Sequence, residues 1–190
     1  MPVTVIDIQT FSFDAAAGAV TGISAIRIVT DGELPADPFE WRLPEGRAAP
    51  TEEEELRRQI DAFGPVLPEL GVYLSEPPVV AHGAAWARTF LRKATLSVGA
   101  DWMPPSILCT RRMARACFPD LESYGLTGLV DDLALAPERP RDGAERCRAV
   151  AELYRRCLGR LGESGPNGRV DLAPFIAGSG EHSDGNAGSR

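Results

Sequence analysis

Three strand-like segments follow one another between Val3 and Leu43, and they constrain the fold of this chain more than anything after them. Val3-Thr4-Val5-Ile6-Asp7-Ile8-Gln9-Thr10 is an apolar run, Gly22 to Val29 alternates, and Pro38 to Leu43 alternates again. Phe11 to Gly18 reads as a loop, and Asp31-Gly32 supplies a turn signal after the second segment. Consecutive strands joined in this way predict an antiparallel meander. The pattern then changes. Thr51 is placed to cap a helix reaching about Phe63, with Glu54 in the capping-box position, and the acidic run Thr51 to Glu55 reads as its solvated face. Glu76-Pro77-Pro78 stops a second short helix, and Val79 to His82 is a short buried strand leading into Gly83. A helix from Ala85 to about Leu96 follows, burying Trp86, Phe90 and Leu91. After Pro104-Pro105 comes a fifth strand, Ser106 to Cys109, and Thr110 is placed to cap a helix from Arg111 to Cys117. Tyr124 to Leu133 predicts another helix. Beyond the loop Ala136 to Arg141, residues Ala144, Cys147, Ala151, Tyr154, Leu158 and Leu161 recur at helical spacing. Three strands followed by strand–helix alternation predict an α/β fold, a mixed five-stranded sheet flanked by helices on both faces.

A chain of 190 residues with 44% hydrophobic content buries one core, here assigned to residues 1–162. From Gly162 the composition turns to Gly, Ser, Asn and Asp, so residues 163–190 read as a C-terminal tail with an apolar island at Val170 to Ile176 and disorder after about residue 178. His182 in that tail is a bystander. The net charge of -7 excludes a broadly basic nucleic-acid binder but leaves room for a local basic cleft. Lys93 is the single lysine, so positive charge is carried by arginine. Cys109, Cys117, Cys147 and Cys157 show no CxxC spacing, which argues against structural zinc and for reduced core thiols in a cytoplasmic protein. No basic-then-apolar leader precedes Val3, and no apolar run approaches the roughly 18 residues of a membrane span.

Asp7 and Gln9 are two apart on a strand and so share a face. A strand ending in Asp-x-Glu is how several phosphoryl-transfer enzymes begin a two-metal site; here the second acid is an amide. Other strings carry the comparison further. Val79-Val80-Ala81-His82-Gly83-Ala84 with Trp86 is similar to "VAHNAxFD", Ile107 to Leu135 to "DTLxLARRLFP…SYxLxxL", and Arg148 to Tyr154 to the segment after "HxAxxDA". Together they resemble the DnaQ-like, DEDDh-type 3'-5' exonucleases, which share a ribonuclease H-like fold. The resemblance covers roughly Val3 to Gly162.

In that family four carboxylates hold two divalent metals and a histidine deprotonates the attacking water, because hard cations require oxygen anions. Carried over position by position, the resemblance keeps the first acid as Asp7 and replaces the second with Gln9. The third falls on Ala87, the histidine on Arg141 and the last acid on Arg146. Arginine neither binds a cation nor acts as a base at neutral pH. Asp142, Glu145 and Asp14 are the neighbours placed to substitute, although one step along a helix turns a side chain by about 100° and sends Glu145 away from the direction of Arg146. His82 closes a strand beside the site and reads as a hydrogen-bonded structural histidine. Trp86 reads as core ahead of a base-stacking platform, and Arg111, Arg112 and Arg115 as a solvated helix face. His82, Trp86, Arg141 and Arg146 remain the candidates to line a binding cleft.

The resemblance therefore implies a degenerate exonuclease-like domain with no expected cofactor. Such a domain would bind a nucleic-acid end, a nucleotide or a protein, with Arg141 and Arg146 pairing with a phosphate oxygen or a partner's carboxylate. The alternative is an active 3'-5' exonuclease on DNA or RNA using Asp7 and substitute acids with Mg2+ or Mn2+. A third reading gives the fold an oligomerising role.

Overall fold

The computed structural model describes residues 2–10, 20–29, 38–44, 51–75, 78–164 and 169–177. The loop Phe11 to Gly18, the Asp31-Gly32 turn, Asp14 and His182 lie outside them. Five strands, β1 (Pro2–Thr10), β2 (Val20–Val29), β3 (Phe39–Arg42), β4 (Val79–Ala81) and β5 (Ile107–Cys109), form one sheet in the order β3-β2-β1-β4-β5. The predicted meander is present: β1 and β2 pair antiparallel with Asp7 opposite Ser24, and β2 and β3 with Ser24 opposite Glu40. β4 and β5 then add in parallel on the other side of β1. β1 is thus the central strand and marks the change from antiparallel to parallel pairing.

The helices are α1 (Glu52–Phe63), α2 (Leu67–Ser75), α3 (Ala84–Ser97), α4 (Thr110–Cys117), α5 (Leu126–Leu133) and α6 (Gly143–Ser164). Alternation along β1 sorts them into two layers. Ile6 and Ile8 face a core built with Phe63 of α1, Leu70 and Leu74 of α2 and Phe90 and Leu91 of α3. Val3 and Val5 face the opposite core, with Met113 of α4, Leu129 of α5 and Cys147, Val150 and Leu153 of α6. Burial on both faces explains why β1 is a near-continuous apolar run. Phe90 is fully buried, so its truncation to alanine costs about 3–5 kcal/mol.

Local signals were read correctly at one helix start and not at another. Thr51 caps α1, its hydroxyl accepting the Glu54 N–H at 3.2 Å. Thr110 does not cap α4: Cys109 occupies that position without a side-chain bond, and Thr110 is the first helical residue. Its hydroxyl is instead 3.1 Å from His82 Nδ1, a tertiary partner that outcompetes the local one. Gly83, at φ 78°, turns the chain from β4 into α3 in a left-handed conformation that glycine adopts without steric cost. The apolar island lies against the outer edge of β5. Ile176 bridges Leu108, Ala177 donates to the Ile107 carbonyl at 2.9 Å, and Phe175 is buried. Cys109, Cys117, Cys147 and Cys157 are free and buried. Among the described residues no helix is long and apolar enough to cross a membrane.

Candidate functional site

The odd-numbered row of β1 begins as core and ends as polar: Val3 and Val5 are buried, and Asp7 and Gln9 continue on the same face toward α6. The first turn of α6 lies over them. Arg146 Nε stands 3.3 Å from Asp7 Oδ1, with the Asp7 side chain 14% exposed and that of Arg146 46% exposed. Gln9 adds a side-chain hydrogen bond to the same carboxylate. Asp7 Oδ2 is buried with no hydrogen-bond partner among the described residues. Burial is the largest influence on this carboxyl and raises its pKa above the ordinary value, while Arg146 and Gln9 pull it down without cancelling the effect. Below the pair, Cys147 Sγ donates to the Ser24 carbonyl at 3.3 Å, and burial, then the Asp7 charge, push the thiol up.

Two glycines make room for Gln9. A Cβ on Gly22 would lie 2.9 Å from Gln9 Oε1. One on Gly143, the first residue of α6, would lie 2.0 Å from Ser24 Oγ and 2.5 Å from Gln9 Nε2. The amide is therefore wedged between β2 and the start of α6, against backbone on both sides.

The neighbouring acids serve the helix end. Asp142 Oδ1 accepts the Glu145 N–H at 2.8 Å, and Glu145 Oε2 reaches back to the Arg141 N–H at 2.7 Å. The Asp142 carbonyl accepts the Arg146 N–H at 3.1 Å. This reciprocal arrangement satisfies N–H groups that a helix start leaves open, and it directs both carboxylates to backbone. Arg141 does not join Arg146: its side chain is 78% exposed and pairs with Glu138. Ala87 lies in the core on the α3 face, buried with Ile6, Ile8 and Phe90.

His82 has both ring nitrogens engaged. Nε2 is 2.9 Å from the Tyr124 carbonyl, which can only accept, so Nε2 carries the proton and Nδ1 accepts from the Thr110 hydroxyl. Burial, with smaller contributions from Arg111 and Arg146, lowers its pKa to about 4. A neutral imidazole with both nitrogens occupied is a brace between β4, α4 and the segment before α5. Trp86 packs its ring on Phe90 at 4.7 Å between centroids, against the α3 core. Arg115 stacks over Tyr124, and Arg112 donates to the Ile176 carbonyl, so α4's arginines are not simply solvated.

A pair of divalent cations requires several converging oxygen anions. Asp7 is neutralised by a guanidinium, Gln9 is wedged, and Asp142 and Glu145 cap α6. Among the described residues no group of three or more His, Cys, Asp or Glu is placed to hold a metal ion. The described residues do not fit a two-metal centre. Sequence reasoning found Asp7, Gln9 and Arg146 but missed Gly22, Ser24, Gly143 and Cys147, which meet only when β2 and α6 close on β1. A glycine opening a helix straight after a capping acid was the one available sign.

No protein-family model matches the chain. It is 25% identical over 165 residues to the DNA polymerase III subunit epsilon of Aquifex aeolicus, covering 83% of this chain and 80% of that protein. It is 29% identical over 162 residues to a PolC-type DNA polymerase III of Thermotoga petrophila, covering 80% of this chain and 11% of that protein. A putative bifunctional exonuclease/endonuclease protein of Mycobacterium tuberculosis is 26% identical over 113 residues, 58% of this chain and 18% of that protein. The chain thus spans a small part of two of these relatives and most of the third. Among solved structures, Exonuclease X in complex with 5' overhanging duplex DNA matches with a TM-score of 0.57 and 20% identity, over 84% of this chain and 93% of that one. The nuclease domain of 3'hExo, a DEDDh family member bound to rAMP, matches with a TM-score of 0.62 and 14% identity, over 83% and 92%. The fold is that of the DnaQ-like exonucleases, ribonuclease H-like, as the sequence strings indicated.

Proposed function

We propose that this chain is a degenerate 3'-5' exonuclease-like domain, catalytically inactive, that acts as a metal-independent binding module for a nucleic-acid end, a nucleotide or a protein. The observation that carries the reading is the Arg146 guanidinium on Asp7 at 3.3 Å. A cation built into the chain stands where the fold's relatives would need charge left unpaired for metal, and the two acids nearest to it are spent on capping α6. Arg146 is the more exposed partner of the pair, which leaves part of its guanidinium accessible to a ligand. The names of the relatives, DNA polymerase III epsilon and PolC-type polymerases, favour a nucleic-acid end as the first ligand to try. Four buried free thiols support a reducing, cytoplasmic setting.

The test is a labelled single-stranded oligonucleotide, DNA and RNA in turn, incubated with the purified protein and Mg2+ or Mn2+. The expected result is no shortening, together with oligonucleotide binding that survives a chelator and weakens in Arg146→Ala. Metal-dependent shortening that is lost in Asp7→Ala would overturn the proposal. Calorimetric titration with Mg2+ checks the same point without an activity readout: no tight binding is expected.

A further inference from the structure

The sheet ends on β3, and no described strand pairs with its outer side. Its register decides which backbone groups point outward. Leu43 donates its N–H to the Thr21 carbonyl at 2.8 Å, and Trp41 and Phe39 lie opposite Ile23 and Ala25. Backbone groups alternate sides along a strand. Residues 39, 41 and 43 are therefore turned to β2, and the N–H and C=O of Glu40 and Arg42 to the open edge. The next positions of outward parity are Pro38 and Pro44, which have no N–H. The edge thus offers two donors and is closed by proline at each end.

A strand fitting this edge must match that short pattern, and a second copy of the chain does so in one register. With a two-fold axis through Trp41, Glu40 lies opposite Arg42 of the partner subunit, and this happens twice. Each such pair exchanges two backbone hydrogen bonds, and opposed residues place their side chains on the same face, so carboxylate meets guanidinium. An axis through Glu40 or Arg42 instead opposes like charges and sets a proline against the remaining outward donor. Odd registers turn outward groups against inward ones. Both side chains are exposed. Beside the strand runs an open groove of about 480 Å³ lined by Pro44, Glu54, Arg57, Arg58, Asp61 and Ala62. Two acids and two arginines there are compatible with a self-complementary contact.

We propose that the chain forms a two-fold dimer by antiparallel pairing of β3 about Trp41, joining two five-stranded sheets into one. The assembly closes on itself, because the opposite edge, β5, is covered by Ile176 and Ala177. It is independent of the ligand-binding reading above.

Analytical ultracentrifugation of the full chain, from about 1 µM to about 1 mM, tests it. The wild type is expected to dimerise. Glu40→Arg and Arg42→Glu each weaken association at least about tenfold, and the double reversal E40R/R42E, which restores opposite charges, recovers it to within about threefold. Arg42→Pro removes an outward donor and leaves the bonds to β2 in place, so a monomer with a wild-type circular dichroism spectrum is expected. A wild type monomeric at about 1 mM overturns the proposal. So does a dimer whose affinity is unchanged in Arg42→Glu and Arg42→Pro, or a folded double reversal that stays monomeric.

Discussion

Acid should unfold this protein partly through one imidazole. His82 is held neutral, with Nε2–H on the Tyr124 carbonyl and Nδ1 accepting from Thr110, and its pKa is lowered from 6.5 to about 4 by burial and by Arg111 and Arg146. The unfolded chain takes up a proton near the ordinary value and the folded one does not, so the sign is fixed. The stability His82 contributes is fully present above the unfolded value and is lost as pH falls toward the folded one. The full shift corresponds to about 3 kcal/mol, and between about pH 7 and about pH 4.5 the expected loss is about 2 kcal/mol. Asp7 works in the opposite direction, since its raised pKa favours the folded state in acid, while Glu152, lowered by Arg156 and Arg155 against an opposing burial effect, adds to the acid loss below about its ordinary value. Urea denaturation at the two pH values isolates the imidazole by difference from His82→Gln, whose amide nitrogen can still donate to Tyr124 and never protonates. The variant should lose about 2 kcal/mol less than the wild type on acidification. Equal losses would refute the argument, as would an NMR titration placing His82 near its ordinary pKa.

Two further outcomes follow from the packing of α6 on β1. Gly143→Ala drives a methyl to 2.0 Å from Ser24 Oγ and 2.5 Å from Gln9 Nε2, so it should destabilise by about 3 kcal/mol in chemical denaturation, with Ser24→Gly recovering part of the loss. Gln9→Glu puts a second carboxylate beside Asp7 in a space closed by Gly22 and Gly143; it should lower the melting temperature and show no Mg2+-induced recovery, and a Mg2+-dependent rise would show that one acid suffices to rebuild a metal site.

The fold was legible because its signals are local and redundant. Strand alternation at Gly22 to Val29 and Phe39 to Arg42, proline stops at Pro78 and Pro105, and the apolar stripe of α6 each mark one element, and the observed order follows from them. The pairing of Asp7 with Arg146 was half legible. Both positions stood out by comparison with a pattern of acids, yet that pattern does not say that the guanidinium turns onto Asp7 while Arg141 turns away to Glu138. That choice is made by the cap of α6. With Glu145 drawn back to the Arg141 N–H and Asp142 holding the Glu145 N–H, residue 146 ends the first turn facing the sheet. Thr110 failed as a predicted cap for the same kind of reason, because a part-buried imidazole 28 positions earlier offers a better partner than the helix it begins. Contacts of that separation leave no periodic trace.

Asp7, Gln9, Arg146 and the start of α6 are packed against one another in this structure. Carboxylates gathered at the end of a central strand repel one another unless cations sit among them. Here Gln9 removes one charge at the strand, Arg146 neutralises another, and Ala87 is absorbed into the α3 core. α6 approaches closely enough that a Cβ on its first residue, Gly143, would overlap Ser24 and Gln9. That approach in turn buries Asp7 enough for desolvation to outweigh its own ion pair. Restoring any single acid therefore works against the packing of the rest. Low charge at the end of β1 and close docking of α6 thus act together in this structure, and the proposed metal-independent reading rests on both.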